Sequence, residues 1–91
     1  MDIEFNIYVE APNYYSYDLA NYLITNFDIG GATIIPSVGV YKNETNPSFI
    51  IRFIDKAERR GDVYEIVRQM KDDFNQESVL VTETELVARL V

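Results

Sequence analysis

From residue 2 to residue 10 apolar and polar positions alternate: Ile3, Phe5, Ile7 and Val9 against Asp2, Glu4, Asn6, Tyr8 and Glu10. A period of two predicts a half-buried strand, and Ala11-Pro12-Asn13 ends it. The period then lengthens. Tyr15, Leu19, Tyr22, Leu23 and Phe27 recur at helical spacing, with Asn13 or Ser16 as the expected cap and Gly30-Gly31 as the stop. Residues 32–41 are rich in β-branched side chains and predict a second strand, with Pro36 requiring an edge position or a bulge. Residues 42–47 predict a polar turn. In a third strand over 48–54, Phe49, Ile51 and Phe53 face one way and Ile50, Arg52 and Ile54 the other. A charged stretch, 55–61, leads to a second helix capped by Asp62, with Val63, Ile66, Val67, Met70 and Phe74 on its inner stripe. Residues 77–82 predict a last strand. For 83–91 the pattern supports both a capped helix (Thr82 and Glu85) and a strand (Leu86, Ala88 and Leu90).

The element order is β-α-β-β-α-β. It predicts an α+β, ferredoxin-like fold (a split βαβ): an antiparallel sheet with two helices on one face. The whole chain, 1–91, is expected to be a single domain, with no repeat, linker or low-complexity segment. The sheet's second face would then be open, with Ile50 and Ile54 on it. A chain that is 47% apolar but too short for a large core has reason to oligomerise, unless its tail covers that face.

Composition removes several classes of function. The net charge of −7 opposes binding to a nucleic acid polymer, though not to a small nucleotide held by local amides. With neither cysteine nor histidine, zinc-thiolate sites, thiol catalysis and Ser-His-Asp triads are excluded, and no metal or cofactor is expected. The sequence contains no leader pattern and no apolar run near the ~18 residues that span a membrane, so a cytoplasmic protein without membrane association is expected.

Two polar clusters carry candidate chemistry. Tyr41, Glu44, Asn46 and Ser48 surround the turn between the second and third strands. A phenol can stack or donate a hydrogen bond, a carboxylate can hold a cation, and an amide and a hydroxyl can orient polar atoms. The same residues are also ordinary turn chemistry. Gln76, Glu77 and Ser78, after Asn75, stand where the second helix gives way to the last strand, and can equally serve as helix-capping groups. Tyr14, Tyr15 and Tyr17 read as cover for the first helix, Glu58-Arg59-Arg60 as a solvated loop, and Gly30-Gly31 as a helix stop rather than a phosphate cradle.

Together, the segment GVYKNETNPSFIIRF (39–53) and the later FNQESVLVTETEL (74–86) resemble the small S-adenosylmethionine lyases of bacteriophages, over about residues 30–90 in element order. Gly39-Val40-Tyr41 and the run from Gln76 to Val81 are the best local matches. The resemblance implies a ferredoxin-like trimer with ligands at subunit interfaces. The implied reaction cleaves S-adenosylmethionine to methylthioadenosine and homoserine lactone. Relatives associated with type III CRISPR defence act on the conjugate SAM-AMP, so the implied substrate is S-adenosylmethionine or SAM-AMP. By position, Tyr41 matches the family's active-site tyrosine, and Gln76 matches the glutamine at the final strand. Where the family carries its glutamate, this chain has Asn46. Either Glu44 supplies the carboxylate, making Tyr41 and Glu44 the catalytic pair with Asn46, Ser48, Gln76, Glu77 and Ser78 binding substrate, or the chain binds without turnover. A non-catalytic adenosyl-nucleotide-binding module and a small anti-defence interaction protein are the alternatives.

Overall fold

Strand β1 (Asp2–Glu10) lies in the interior of a four-stranded antiparallel sheet of order β2-β3-β1-β4, in a computed structural model that describes all 91 residues. The other elements are α1 (Ser16–Asn26), β2 (Thr33–Tyr41), β3 (Glu44–Lys56), α2 (Arg60–Asp73) and β4 (Leu80–Leu86). This is the expected ferredoxin-like arrangement. The alternation in β1 decides which face is covered: Ile3, Phe5, Ile7 and Val9 are all buried, joined by Phe49, Ile51 and Phe53 of β3. Leu19 and Leu23 of α1 and Val63, Val67 and Met70 of α2 close the same core. Pro36 lies on β2, an edge strand, where a residue without an N–H is tolerated.

Several boundaries differ from the sequence pattern. Helix α1 is capped not by Asn13 or Ser16 but at Tyr15, whose N–H donates to Asp18 Oδ2 at 2.8 Å. It ends at Asn26, so Gly30-Gly31 lies in the loop beyond. Asp62 is not a cap: a 3₁₀ turn, Ala57–Arg59, leads straight into α2, putting Gly61 and Asp62 inside the helix. Arg59 and Arg60 are not free in a loop. They pair with Asp55 at 2.9 Å and Glu83 at 2.7 Å.

The two largest corrections concern the clusters of interest. The turn is not 42–47 but only Lys42 and Asn43, both in the left-handed region with φ of 49° and 65°. A two-residue turn of this hand matches the twist of the strands it joins. Residues 44–47 therefore belong to β3. The last strand is Leu80–Leu86 rather than 77–82, so Gln76, Glu77 and Ser78 lie in the connection before it, and 83–86 continue the strand.

The β2–β3 ribbon outruns the rest of the sheet. Pairing of β1 with β3 stops at Glu10–Ser48, whereas β2 and β3 continue to Tyr41–Glu44. Val38 and Val40, on the ribbon's helix-side face, consequently find no helix beneath them and are 69% and 73% exposed. On the sheet's open face Ile35, Ile50, Ile54 and Leu80 are interrupted by a polar network. Asn6, buried to 6% exposure, accepts from Arg52 Nε at 2.8 Å and donates to Glu4 at 3.4 Å. No helix is long and apolar enough to cross a membrane.

Candidate functional site

The two-residue turn fixes where the hairpin side chains stand. Tyr41 and Glu44 are cross-strand partners at the tip. Counting back, the register pairs Gly39 with Asn46 and Ser37 with Ser48. A period of two then puts Tyr41, Gly39, Ser37, Glu44, Asn46 and Ser48 on one face, the open face of the sheet. Ser37 and Ser48 are linked, Oγ to Oγ, at 2.9 Å. Tyr41 is 68% exposed, and the Lys42 ammonium stands 5.3 Å from its ring centroid. That ring already attracts a cation, as an electron-rich aromatic face does.

Gln76 is held by different physics. Helix α2 ends in a Schellman motif: Asn75 takes φ 53°, its N–H donates to Asp72 O at 3.1 Å, and Gln76 N–H donates to Lys71 O at 2.9 Å. Asparagine tolerates this left-handed backbone. The backbone, not the polar side chains, caps the helix, which leaves the Gln76 amide free to donate to the carbonyl of Glu10. Glu77 and Ser78 follow, both exposed.

The predicted residues thus share one end of the sheet but form separate groups within a chain. The Tyr41–Glu44 pair at the tip stands four residues from Ser48 along β3, roughly 13 Å away at the rise of a strand. Asn46 lies between this tip and Ser48, where the sheet body begins. Gln76 lies across β1. None of the seven lines any of the five principal hollows of the chain. The roomiest hollow, about 580 Å³, is on the open face around Glu4, Arg52 and Ile54 with Ala88–Leu90, at the sheet's opposite end.

Two residues escaped the sequence reading. Ser37 pairs with Ser48, and Glu10 links the two clusters. The backbone of Glu10 faces Ser48 in register and accepts from Gln76, while its carboxylate reaches across β3. A Cβ built on Gly39 would stand 3.8 Å from Glu10 Oε1 and 3.7 Å from Ser48 Oγ. Gly39 has no left-handed φ to explain it. A glycine in mid-strand costs stability, and here it leaves open space on the face between these polar groups. The signal available in sequence was the polar phase of both strands, but proximity across strands depends on register.

The comparison with known proteins bears on the same architecture. A solved structure, a phage SAM lyase in its apo state, superposes with a TM-score of 0.66 over 90% of this chain and 78% of its own, at 21% identity. The chain shares that protein's fold. At this identity the likeness extends to architecture alone. No family model matches the sequence, and no curated protein does.

Proposed function

We propose that this chain binds S-adenosylmethionine, or its conjugate SAM-AMP, and cleaves it as a lyase, with sites completed between copies of a homotrimer. The observation carrying this reading is the Tyr41–Glu44 pair, a phenol and a carboxylate side by side at the tip of a hairpin in a chain sharing its fold with a phage SAM lyase. The ~13 Å between this tip and the sheet body favours assembly. A ligand of this size is ordinarily buried by 70–90%, whereas Tyr41 stands largely in water in one chain. A neighbouring copy would supply the missing wall.

The reaction suits a chain with no histidine or cysteine. The substrate's own carboxylate oxygen attacks its γ-carbon. The bond from that carbon to sulfur breaks, the electron pair returns to sulfur, and neutral methylthioadenosine leaves beside homoserine lactone. No proton changes hands. The protein has only to fold the tail into line, and misplacing reacting atoms by ~1 Å can cost ~10²-fold in rate. Tyr41 and Glu44 would flank the sulfonium and hold the folded tail. A grip too tight on the ground-state cation would slow the step, so positioning is the useful part of their work. Asn46, Ser48, Gln76, Glu77 and Ser78 would orient the remaining polar atoms.

Mass spectrometry of folded protein mixed with each substrate tests this. Methylthioadenosine, or its AMP conjugate, is the expected product; recovery of only intact substrate sinks the lyase reading. Tyr41→Phe and Glu44→Gln should each lower turnover about 10- to 100-fold with the fold intact. Asn46, an amide at the position where the resemblance calls for a glutamate, favours a second reading: a module that sequesters the ligand without cleaving it. Calorimetric binding with no product would select that reading.

A further inference from the structure

We propose that Glu10 is a ligand-binding residue of this site and reads the α-ammonium of the ligand's amino-acid moiety. The inference rests on the adenosyl-ligand reading above and adds a residue that neither the hairpin nor the Gln76 cluster contains.

Along the open face below the hairpin tip, the side chains on β2 and β3 are neutral: Asn46, Ser48, Ser37 and the bare position Gly39. An amide stands at 46, so β3 brings no carboxylate to this level. Glu44 is two strand pairs beyond Asn46, at the exposed tip. The carboxylate that does arrive comes from the neighbouring strand. Glu10 is the last residue of β1 and faces Ser48 in register, and its side chain crosses over β3 until Oε1 is 3.8 Å from where a Cβ of Gly39 would be. A Cβ at residue 39 would stand at ordinary contact distance from this carboxylate and a branched side chain would extend over it, whereas glycine leaves the approach open. Glu10 forms no ion pair in the chain, so its charge is available to a ligand cation.

Its backbone is fixed at the same time. The β1–β3 ladder holds it from one side and the Gln76 amide holds its carbonyl from the other. A carboxylate on an anchored strand end, with hydroxyls and an amide around it, is suited to a primary ammonium. Such a group offers three N–H donors to converging oxygens. Glu44 beside the Tyr41 ring is suited instead to the sulfonium, which has no hydrogen to donate. The two carboxylates therefore read different charges of one molecule.

Three ligands separate these roles. S-Adenosylmethionine carries both the sulfonium and the ammonium, S-adenosylhomocysteine only the ammonium, and methylthioadenosine neither. Calorimetry on folded wild type and Glu10→Gln should show S-adenosylhomocysteine weakened about tenfold or more with methylthioadenosine unchanged, and S-adenosylmethionine, followed by its KM where product forms and by calorimetry where none does, should weaken by as much. Glu44→Gln should weaken S-adenosylmethionine and spare S-adenosylhomocysteine. Matching circular dichroism and melting curves would establish that the isosteric change leaves the fold alone. If Glu10→Gln binds all three as wild type does, weakens only S-adenosylmethionine, or weakens all three equally, Glu10 does not read the ammonium and this inference is overturned while the ligand reading stands. If wild type itself binds none of the three, both are overturned.

Discussion

Val40→Asp is the sharpest probe of the proposed assembly. Val40 lies on the overhanging ribbon, 73% exposed and beyond the reach of either helix. Within one chain the substitution should cost little: a surface change of this kind is usually worth within about 0.5 kcal/mol, with up to ~1 kcal/mol from lost strand propensity. Contact with a second copy changes the magnitude. Fully burying a valine is worth about 1.5–3 kcal/mol, and roughly three-quarters of Val40 remains to be buried, so each copy stands to gain ~1–2 kcal/mol. Summed over a closed ring of three, the loss is ~3–6 kcal/mol before any penalty for burying the new carboxylate, or a factor of about 10² to 10⁴ in the assembly constant. Sedimentation velocity across micromolar concentrations reads this directly. The expected result is an assembled wild type and a monomeric Val40→Asp variant with an unchanged far-UV spectrum. A variant that assembles like wild type, or a wild type monomeric at every concentration, refutes the reasoning.

Gly39→Val should keep the fold, because the first added carbon meets its neighbours at ordinary contact distances of 3.7–3.8 Å, yet its branches would fill the open face beside Glu10. Thermal-shift titration with S-adenosylmethionine should show at least about tenfold weaker binding, with Gly39→Ala intermediate. A second expectation concerns acid. Hydrogen bonds from Tyr64 and Arg60 hold the Glu83 carboxyl below the usual carboxylate range. A depressed folded-state value stabilises in full above the unfolded value, about pH 4.3, and is lost as pH falls through the folded one. Melting curves should therefore show Glu83→Gln about 2–4 °C less stable than wild type at neutral pH, with the gap closing below about pH 4. A constant gap at all pH values would assign the effect to something other than the charge.

The framework was legible in sequence because its signals are periodic and backed by a core. Every apolar position of β1 is buried, and Pro36 marked an edge strand correctly. The outer arms of the hairpin read as a turn because they have no core to face. Asn-Glu-Thr-Asn-Pro looks like loop composition, and Lys42-Asn43 makes a left-handed turn without the glycine that usually announces one. The start of β4 differs from the sequence pattern for another reason. The Gln76 side chain takes the carbonyl of Glu10, and the ladder with β1 begins only at Tyr8–Leu80. The candidate site suffered most from the turn. Once its length is known, Ser37 opposite Ser48 follows by counting. Glu10 does not follow from counting, since it needs β1 to end level with Ser48 and its side chain to lean across.

In the proposed mechanism the hairpin tip and the floor, meaning the sheet-body residues Glu10, Ser48 and Gln76, would come from different copies. A monomer with Tyr41 and Glu44 beside Gln76 could bind its ligand alone, and assembly would then be incidental. Here the ribbon carries the phenol and one carboxylate away from the sheet body, while Glu10, Ser48 and Gln76 stay with it. The overhang leaves Val38 and Val40 uncovered on its other side. One contact between copies would answer both deficits: it would bury the ribbon's apolar side and bring a tip against a neighbour's floor. On this argument, activity should titrate with the fraction of assembled protein. Diluting wild type through its dissociation range should lower the specific rate in parallel with loss of the oligomer, while affinity measured on isolated monomer stays weak. A monomer as active as the assembled protein would mean that tip and floor are two unrelated features of the same sheet end.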